Sequence, residues 1–266
     1  MTNERARLVV EDLEKTLLRF VQKHKVNHDE YRLAIETVIS SVKAGEESLL
    51  YDVFLEAATT NNSNVGKHGS LDAIEGPFYL PNAPKLEPPY VLPQRPDEAG
   101  DVLFFRGLIA SPDGQPVAEA EIDMWQADAA GLYSNVHPNI PAWNLRGRLQ
   151  SRDDGTFEVK TILPPPYEIP KHGPTGAVLK VLGRHCFRPA HLHMKISHPQ
   201  YCPLTSQLYF DGGEYLDSDV ANAVRSDLIV KLIGQEDSSG IAARGLCEPY
   251  FEADFDFVLV PRTERI

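Results

Sequence analysis

Along the first sixty residues apolar positions recur three and four apart. Leu8, Val9, Leu13, Leu17, Phe20 and Val21 follow the repeat of one face of an α-helix. Asn27 followed by Glu30 has the form of a capping box and opens a second helix through Tyr31, Ile35, Val38 and Ile39. Gly45 interrupts the pattern. Leu49, Leu50, Val53, Phe54 and Leu55 start a third helix, and Asn61-Asn62-Ser63 ends the helical zone, residues 1–62. Apolar faces on helices this short need a partner surface, either the body of the protein or another subunit.

Residues 63–100 change character. Seven prolines fall between Pro77 and Pro96, which excludes regular helix and central strand there. Leu71, Ile74, Phe78, Tyr79, Tyr90, Val91 and Leu92 supply too many apolar anchors for disorder, so the segment is an extended connector. From residue 101 onward short β-type runs alternate with turns. Val102 to Ala110, then a Ser111-Pro112-Asp113-Gly114 turn, precedes an alternating run from Val117 to Gln126. Arg146 to Ser151 and Thr156 to Ile162, around Asp154-Gly155, predict a hairpin. Further strands are expected over 190–197, 205–210 and 255–260, with a short helix over 217–230. The fold class predicted is α+β, mainly β: an antiparallel β-sandwich over 101–266 behind an N-terminal helical region.

Composition narrows the function. The 266 residues are 42% hydrophobic and 24% charged, ordinary for a globular protein. A formal charge of −12 without a basic cluster argues against nucleic acid or an anionic membrane as partner. Neither a signal-peptide core nor an apolar run of membrane-spanning length is present. Three scattered cysteines, Cys186, Cys202 and Cys247, fit a reducing cytoplasm, the localisation expected here.

The chemistry begins at Arg188-Pro189-Ala190-His191-Leu192-His193. In a strand, residues two apart share a face, so His191 and His193 would project side by side. Two metal ligands and a surface polar pair are both compatible with that placement. The Glu that a cupin site would carry shortly afterwards is missing, since Met194-Lys195-Ile196-Ser197 follow. Tyr133 sits in a turn-like segment, Gly131-Leu132-Tyr133-Ser134-Asn135, and Tyr167 in a rigid proline-framed loop, Pro164-Pro165-Pro166-Tyr167-Glu168-Ile169-Pro170. Either, taken alone, is equally a tyrosine that packs its ring and wets its hydroxyl.

Taken together, these segments resemble the intradiol ring-cleaving dioxygenases. The resemblance rests on Gly-Leu-Tyr-Ser at Tyr133, Leu145-Arg146-Gly147, Gly183-Arg184-His185, Arg-Pro-Ala-His-Leu-His, Leu204-Thr205-Ser206-Gln207, Tyr215-Leu216-Asp217-Ser218-Asp219 and Gly76-Pro77-Phe78-Tyr79, and it spans nearly the whole chain. Within that family the chain is similar to the catechol and chlorocatechol 1,2-dioxygenase group, the Pro-Tyr-Glu-Ile-Pro loop and Gly173-Pro174-Thr175-Gly176 leaning to the chlorocatechol branch. The resemblance implies a non-haem Fe(III) ion held by Tyr133, Tyr167, His191 and His193. Phenolate oxygen and imidazole suit that hard trivalent cation, and a phenol ionises at neutral pH only beside a strong Lewis acid.

It further implies that Tyr167 leaves the metal and takes a proton as the substrate binds, that Arg188 stabilises anionic species, and that Gln207 is a polar partner of the bound oxygens. Asp52, Val53, Ile74, Gly76, Pro77, Phe78, Tyr79, Val220 and Ala221 become candidates for the substrate pocket. The implied reaction cleaves catechol or a chloro- or methyl-substituted catechol with dioxygen to a cis,cis-muconate. By the same resemblance the helical region would make a homodimer and is a candidate holder of lipid. One departure from relatives is Gln126, where histidine is common. Alternatives are a hydroxyquinol 1,2-dioxygenase, from which Gln207 leans away, and a non-catalytic β-sandwich binding module.

Overall fold

The computed structural model describes residues 2–46 and 49–262. Two compact units emerge, Met1–Glu47 and Ser48–Ile266. In the first, α1 (Asn3–His24) starts where the Thr2 side chain accepts the Arg5 N–H, and α2 (His28–Lys43) starts at the predicted Asn27–Glu30 capping box, with both reciprocal bonds at 2.9 Å. The apolar stripe of α1 is exposed, and the helix buries none of its residues within the chain. Among the described residues no helix is long and apolar enough to cross a membrane.

The second unit opens with α3 (Leu49–Tyr51), a π-helical turn over Asp52–Glu56, and α4 (Ala57–Asn64). It continues through β1 (Tyr90–Val91), β2 (Val102–Ala110), β3 (Glu121–Trp125), β4 (Arg146–Gln150), β5 (Thr156–Ile162) and β6 (Tyr167–Glu168). After α5 (Pro174–Val181) come β7 (Phe187–Arg188), β8 (His191–Ser197), β9 (Leu204–Phe210), β10 (Ile229–Val230) and β11 (Ile233–Gln235). The last elements are α6 (Ser238–Ala243), β12 (Tyr250–Asp254) and β13 (Phe257–Val258). One sheet runs β1-β5-β2-β12-β11 with β13 also paired to β2, a second runs β10-β9-β8-β3-β4, and β6 pairs only with β7. Alternate residues of both large sheets, among them Leu103, Phe105, Ile122, Met124, Phe157, Leu192, Met194 and Leu208, meet in one buried cluster.

Three expectations are corrected. The sheets are mixed and not purely antiparallel: β1 with β5, β10 with β9, and β12 and β13 with β2 run parallel. The chain returns to these edges by loops longer than a hairpin. β4 and β5 are not a hairpin, because β4 pairs with β3 and β5 with β2 and β1. Ser151 accepts the Ala120 N–H, so it closes β4 against its own sheet, and the following Asp154-Gly155 turn carries the chain across to the other sheet. The helix expected over 217–230 is absent apart from a single 3₁₀ turn at Ser226–Leu228. There the Asp219 carboxylate accepts the N–H groups of Ala221 and Ala223, offering the backbone a substitute for helical bonds.

Candidate active site

Pairing register assembles the site before any side-chain argument is needed. Arg146 of β4 lies opposite Trp125 of β3, Trp125 opposite His193 of β8, and His193 opposite Gln207 of β9. These four side chains therefore form a row across one face of the sheet. Ile122 and Met124 point to the other face, into the core. The Trp125 ring stacks on the His193 imidazole at 4.6 Å and 13°, which fixes the ring plane. His191, two residues before His193 and so on the same face, lies opposite Tyr209.

The two imidazoles do project side by side: Nε2 of His191 and Nε2 of His193 are 2.9 Å apart. Nδ1 of His191 lies 2.7 Å from the Pro189 carbonyl, which accepts its proton and leaves Nε2 as the lone-pair nitrogen. Both rings are 2% exposed. Burial, with the nearby Arg188 charge, lowers His191 to about 3, and burial with its His191 neighbour lowers His193 well below the ordinary histidine value. Both are thus neutral at physiological pH, the form that ligates metals.

Two phenols close around them. Tyr133 sits on the turn after β3, where the Asp128 carboxylate accepts the N–H groups of Ala130 and Leu132, and Nδ1 of His137 accepts the Tyr133 N–H at 2.9 Å. Tyr167, in β6, lies opposite Arg188 of β7. The Tyr133 and Tyr167 rings are 5.4 Å apart, and Tyr167 is 5.6 Å from His191. Gly131, at φ 78°, lets these segments meet, since a Cβ there would lie 2.8 Å from Tyr167 Cβ. Burial raises the hydroxyls of both tyrosines above the usual phenol range, Arg188 opposing this at Tyr167. Tyr133 Oη is buried without a hydrogen bond of ordinary geometry, the Tyr167 hydroxyl being a polar neighbour.

Arg188 is 4% exposed and points into this cluster. Nε and Nη2 bind the two Asp219 oxygens at 3.1 Å each, Nη2 also reaches Gln207 Oε1 and Tyr209 Oη at 3.0 Å, and Nη1 lies 3.4 Å from His191 Nε2. Gln207 in turn donates through Nε2 to the Ile74 carbonyl at 2.7 Å. The site thereby holds part of the connector in place.

A narrow cleft opens beside Arg188, His193 and Tyr167. Of the proposed pocket residues, Asp52, Val53, Ile74, Gly76, Pro77, Phe78 and Ala221 line it. Tyr79 and Val220 do not. Tyr79 packs on Trp125 at 5.0 Å and donates to Asp123 at 3.3 Å, while Val220 belongs to the apolar cluster around Tyr133. Gln126 faces neither metal-type donors nor cleft. It bridges the two sheets, accepting from Thr161 Oγ1 and donating to the Ile162 carbonyl. His185 is exposed and meets only Phe187 and Tyr215 among aromatic rings.

Sequence reasoning missed Leu49, Glu56 and Ile169 of the cleft wall, Asp219 and Tyr209 around Arg188, and Trp125, Arg146 and His137 around the ligand candidates. The Glu56 carboxylate accepts the Glu75 N–H at 2.9 Å and so anchors the cleft wall. Asp219, Arg146 and Ile169 lay inside motifs already singled out and Leu49 inside a predicted helix, but none was given a role; Glu56, Tyr209, Trp125 and His137 belonged to no such motif.

The profile of a dioxygenase family matches residues 74–261. A chlorocatechol 1,2-dioxygenase of Rhodococcus opacus is 38% identical over 263 residues, 97% of this chain and 99% of that protein. One of Cupriavidus pinatubonensis is 36% identical, covering 88% and 91%. The crystal structure of 3-chlorocatechol 1,2-dioxygenase from Rhodococcus opacus 1CP superposes with a TM-score of 0.91 at 40% identity, covering 98% of this chain and all of that one. A mixed-sheet scaffold with a buried histidine and tyrosine cluster therefore defines an oxidoreductase of the ring-cleaving type. The chain belongs to the intradiol dioxygenase family. That membership sets aside the reading as a non-catalytic binding module.

Proposed function

We propose that this enzyme cleaves catechol, or a chloro- or methyl-substituted catechol, between its two hydroxyl-bearing carbons with dioxygen, giving a cis,cis-muconate, and that it does so with a non-haem ferric ion bound by Tyr133, Tyr167, His191 and His193. The observation that carries the reading is the convergence of two neutral imidazoles, Nε2 atoms 2.9 Å apart, with two buried phenols whose rings lie 5.4 Å from one another. Such a donor set fits a hard trivalent cation. Among the described residues no group of three His, Cys, Asp or Glu side chains offers a different metal site. When bound, ferric iron supplies the Lewis acidity that ionises both phenols and draws electron density from the ring.

The remaining work falls to the chain. Tyr167 lines the cleft and Tyr133 does not, which supports Tyr167 as the residue whose Oη takes a proton from the incoming diol. Arg188, held by Asp219, keeps a permanent charge facing the reacting oxygens, and Gln207 Oε1 accepts a further bond from its Nη2. Gly76, at φ 72°, brings the cleft wall to His193, where a Cβ would stand 3.9 Å from Cε1. Apolar walls at Val53, Ile74 and Phe78 exclude water and suit an aromatic diol.

The two large sheets, sharing one core, are read as the layers of a sandwich, and the exposed apolar stripe of α1 supports the N-terminal helices as a homodimer contact, with lipid a candidate occupant. The test is direct. Protein purified with ferric iron should be red from tyrosinate-to-iron charge transfer, and His193→Ala should lose iron, colour and activity while staying folded. A folded wild-type protein that takes up no ferric iron refutes the reading. A panel of catechol, methylcatechols, chlorocatechols and hydroxyquinol, followed by ring-opening absorbance, identifies the preferred substrate.

A further inference from the structure

Arg146 is the second fully buried guanidinium near the site, and its circumstances differ from those of Arg188. It is 1% exposed, yet among the described residues it makes no ion pair with a carboxylate. Its fork is spent on three oxygen acceptors. Nε donates to Ser134 Oγ at 3.0 Å, Nη2 to the Ser134 carbonyl at 3.2 Å and Nη1 to the Phe78 carbonyl at 2.7 Å. Ser134 follows Tyr133 directly, and Phe78 lines the cleft with its ring 4.9 Å from that of Tyr133. The guanidinium carbon lies 5.7 Å from the Tyr133 ring centroid. The Asp123 carboxylate attracts Arg146 without reaching ion-pair distance, and a buried cation held at that range is costly unless a closer anion is supplied when the protein works.

The backbone leading to Arg146 carries a second, independent sign. Trp143 and Leu145, both bulky, hold φ values of 64° and 55°, a region such residues rarely adopt. Neighbouring contacts enforce it: Leu145 N–H donates to the Pro93 carbonyl at 2.7 Å, and Ser134 Oγ donates to the Asn144 carbonyl at 2.8 Å. Strain of this kind persists only where the surroundings over-determine it, and it clusters at functional sites. Here its effect is to deliver Arg146 into register with Trp125, one strand from His193.

We propose that Arg146 is a positioning residue of the active site: it locks the turn carrying Tyr133 to the cleft wall at Phe78, and its charge balances the oxygen of Tyr133 when that oxygen ligates the metal. This rests on the assignment of Tyr133 as a ligand. It makes the two phenols unequal, because Arg188, which acts on both, is ion-paired with Asp219, whereas Arg146 acts on Tyr133 and forms no ion pair, Asp123 attracting it only from beyond ion-pair distance. Removing a positive charge from beside a phenolate raises the energy of its donor orbital, which lowers the energy of charge transfer to iron.

The test uses full-length protein reconstituted with ferric iron. Arg146→Met is expected to bind iron at wild-type stoichiometry and to move the tyrosinate-to-iron band to longer wavelength. Its kcat/KM for catechol should fall about ten- to a hundredfold, the size that one or two lost charge-assisted hydrogen bonds imply. Arg146→Lys keeps the charge and loses the fork, so its band should stay near the wild-type position while KM rises more than kcat falls. An unmoved band in iron-loaded Arg146→Met overturns the proposal. Should that variant not fold, Arg146→Lys decides, and wild-type kcat and KM there overturn it equally. Tyr133→Phe separates this from the ligand assignment. Wild-type colour and iron content in Tyr133→Phe refute the assignment itself, whereas a lost or altered band there, beside an unmoved one in Arg146→Met, refutes only the role of Arg146.

Discussion

Asp219→Asn isolates the group that holds Arg188 in place. The carboxylate accepts two bonds from the guanidinium at 3.1 Å each and two backbone N–H bonds, from Ala221 at 3.2 Å and Ala223 at 3.0 Å. Burial alone would raise its pKa, but Arg188 and the two amides overcome this and hold the carboxyl below the usual carboxylate range. Asparagine has the same shape but no charge, and its amide must turn an N–H toward either the guanidinium or a backbone N–H. Breaking a buried pair from one side costs about 3–5 kcal/mol, and the retained carbonyl recovers part of that, so the expected loss of unfolding free energy is about 2–4 kcal/mol.

A pH dependence follows with a definite sign. A carboxyl whose folded pKa is depressed contributes stability above its unfolded value, near 4, and that contribution disappears as pH falls through the folded pKa. Urea unfolding at pH 7 should show the full deficit of the variant, and the deficit should shrink when the pH is taken below about 4. Activity at pH 7 should fall with it, because Arg188 is no longer aimed at His191 and the cleft. Stability within about 0.5 kcal/mol of wild type, together with unchanged kcat/KM, would show that Asp219 does not support Arg188 in the working enzyme.

Two further outcomes are expected. Gly131→Ala places a Cβ 2.8 Å from Tyr167 Cβ at φ 78°, so it should destabilise the protein by about 2–4 kcal/mol from backbone strain and overpacking; normal stability together with a wild-type charge-transfer band would contradict the contact. Asp123 has its carboxyl raised to about 6, burial being the main cause, so the folded state binds its proton more tightly and stability falls as pH rises from about 4 to 6. Asp123→Asn should remove about 1–2 kcal/mol of that decline, with solvent screening allowed for, and pH-dependent unfolding curves of equal slope for both proteins would refute it.

What could be read from the chain alone depended on whether a feature was local. The histidine pair was legible because alternation on a strand is a property of neighbouring residues, and β8 places His191 and His193 as that rule requires. The capping box of α2 was legible for the same reason. Tyr133 and Tyr167 had no signal of their own and were reached only through the family resemblance. Trp125 and Tyr209 were silent, and Arg146 and Asp219 stood in quoted motifs without a role, because their partners come from strands and loops tens of residues away, and register is set by the folded sheet. The helix α5 was not predicted, its Gly-Pro-Thr-Gly start being noted only as a motif. Yet Gly173 as cap and Pro174 at the first helical position are how helices begin, and the Pro-Gly content masked the apolar run behind it. The crossing from β4 to β5 misled for the opposite reason: an Asp-Gly turn between alternating runs is a hairpin signal, and only pairing partners reveal that the runs belong to different sheets.

The four ligand candidates differ in how firmly the fold holds them, and the order matches the parts proposed for them. His191 and His193 stand on β8, paired along its length with β3 on one side and β9 on the other, so moving them requires deforming the five-stranded sheet. Tyr133 rides on a turn fixed by Asp128, His137 and Arg146, each acting on the backbone or on the adjacent serine. Tyr167 is attached by a ladder only two residues long, in a sheet of two strands. A short ladder costs little to shift, and a neighbouring helix and proline-framed loop leave the ring at the cleft edge. A phenol that must exchange a metal for a proton during turnover belongs on the loosest of these supports, and ligands that must keep the metal through that exchange belong on the tightest.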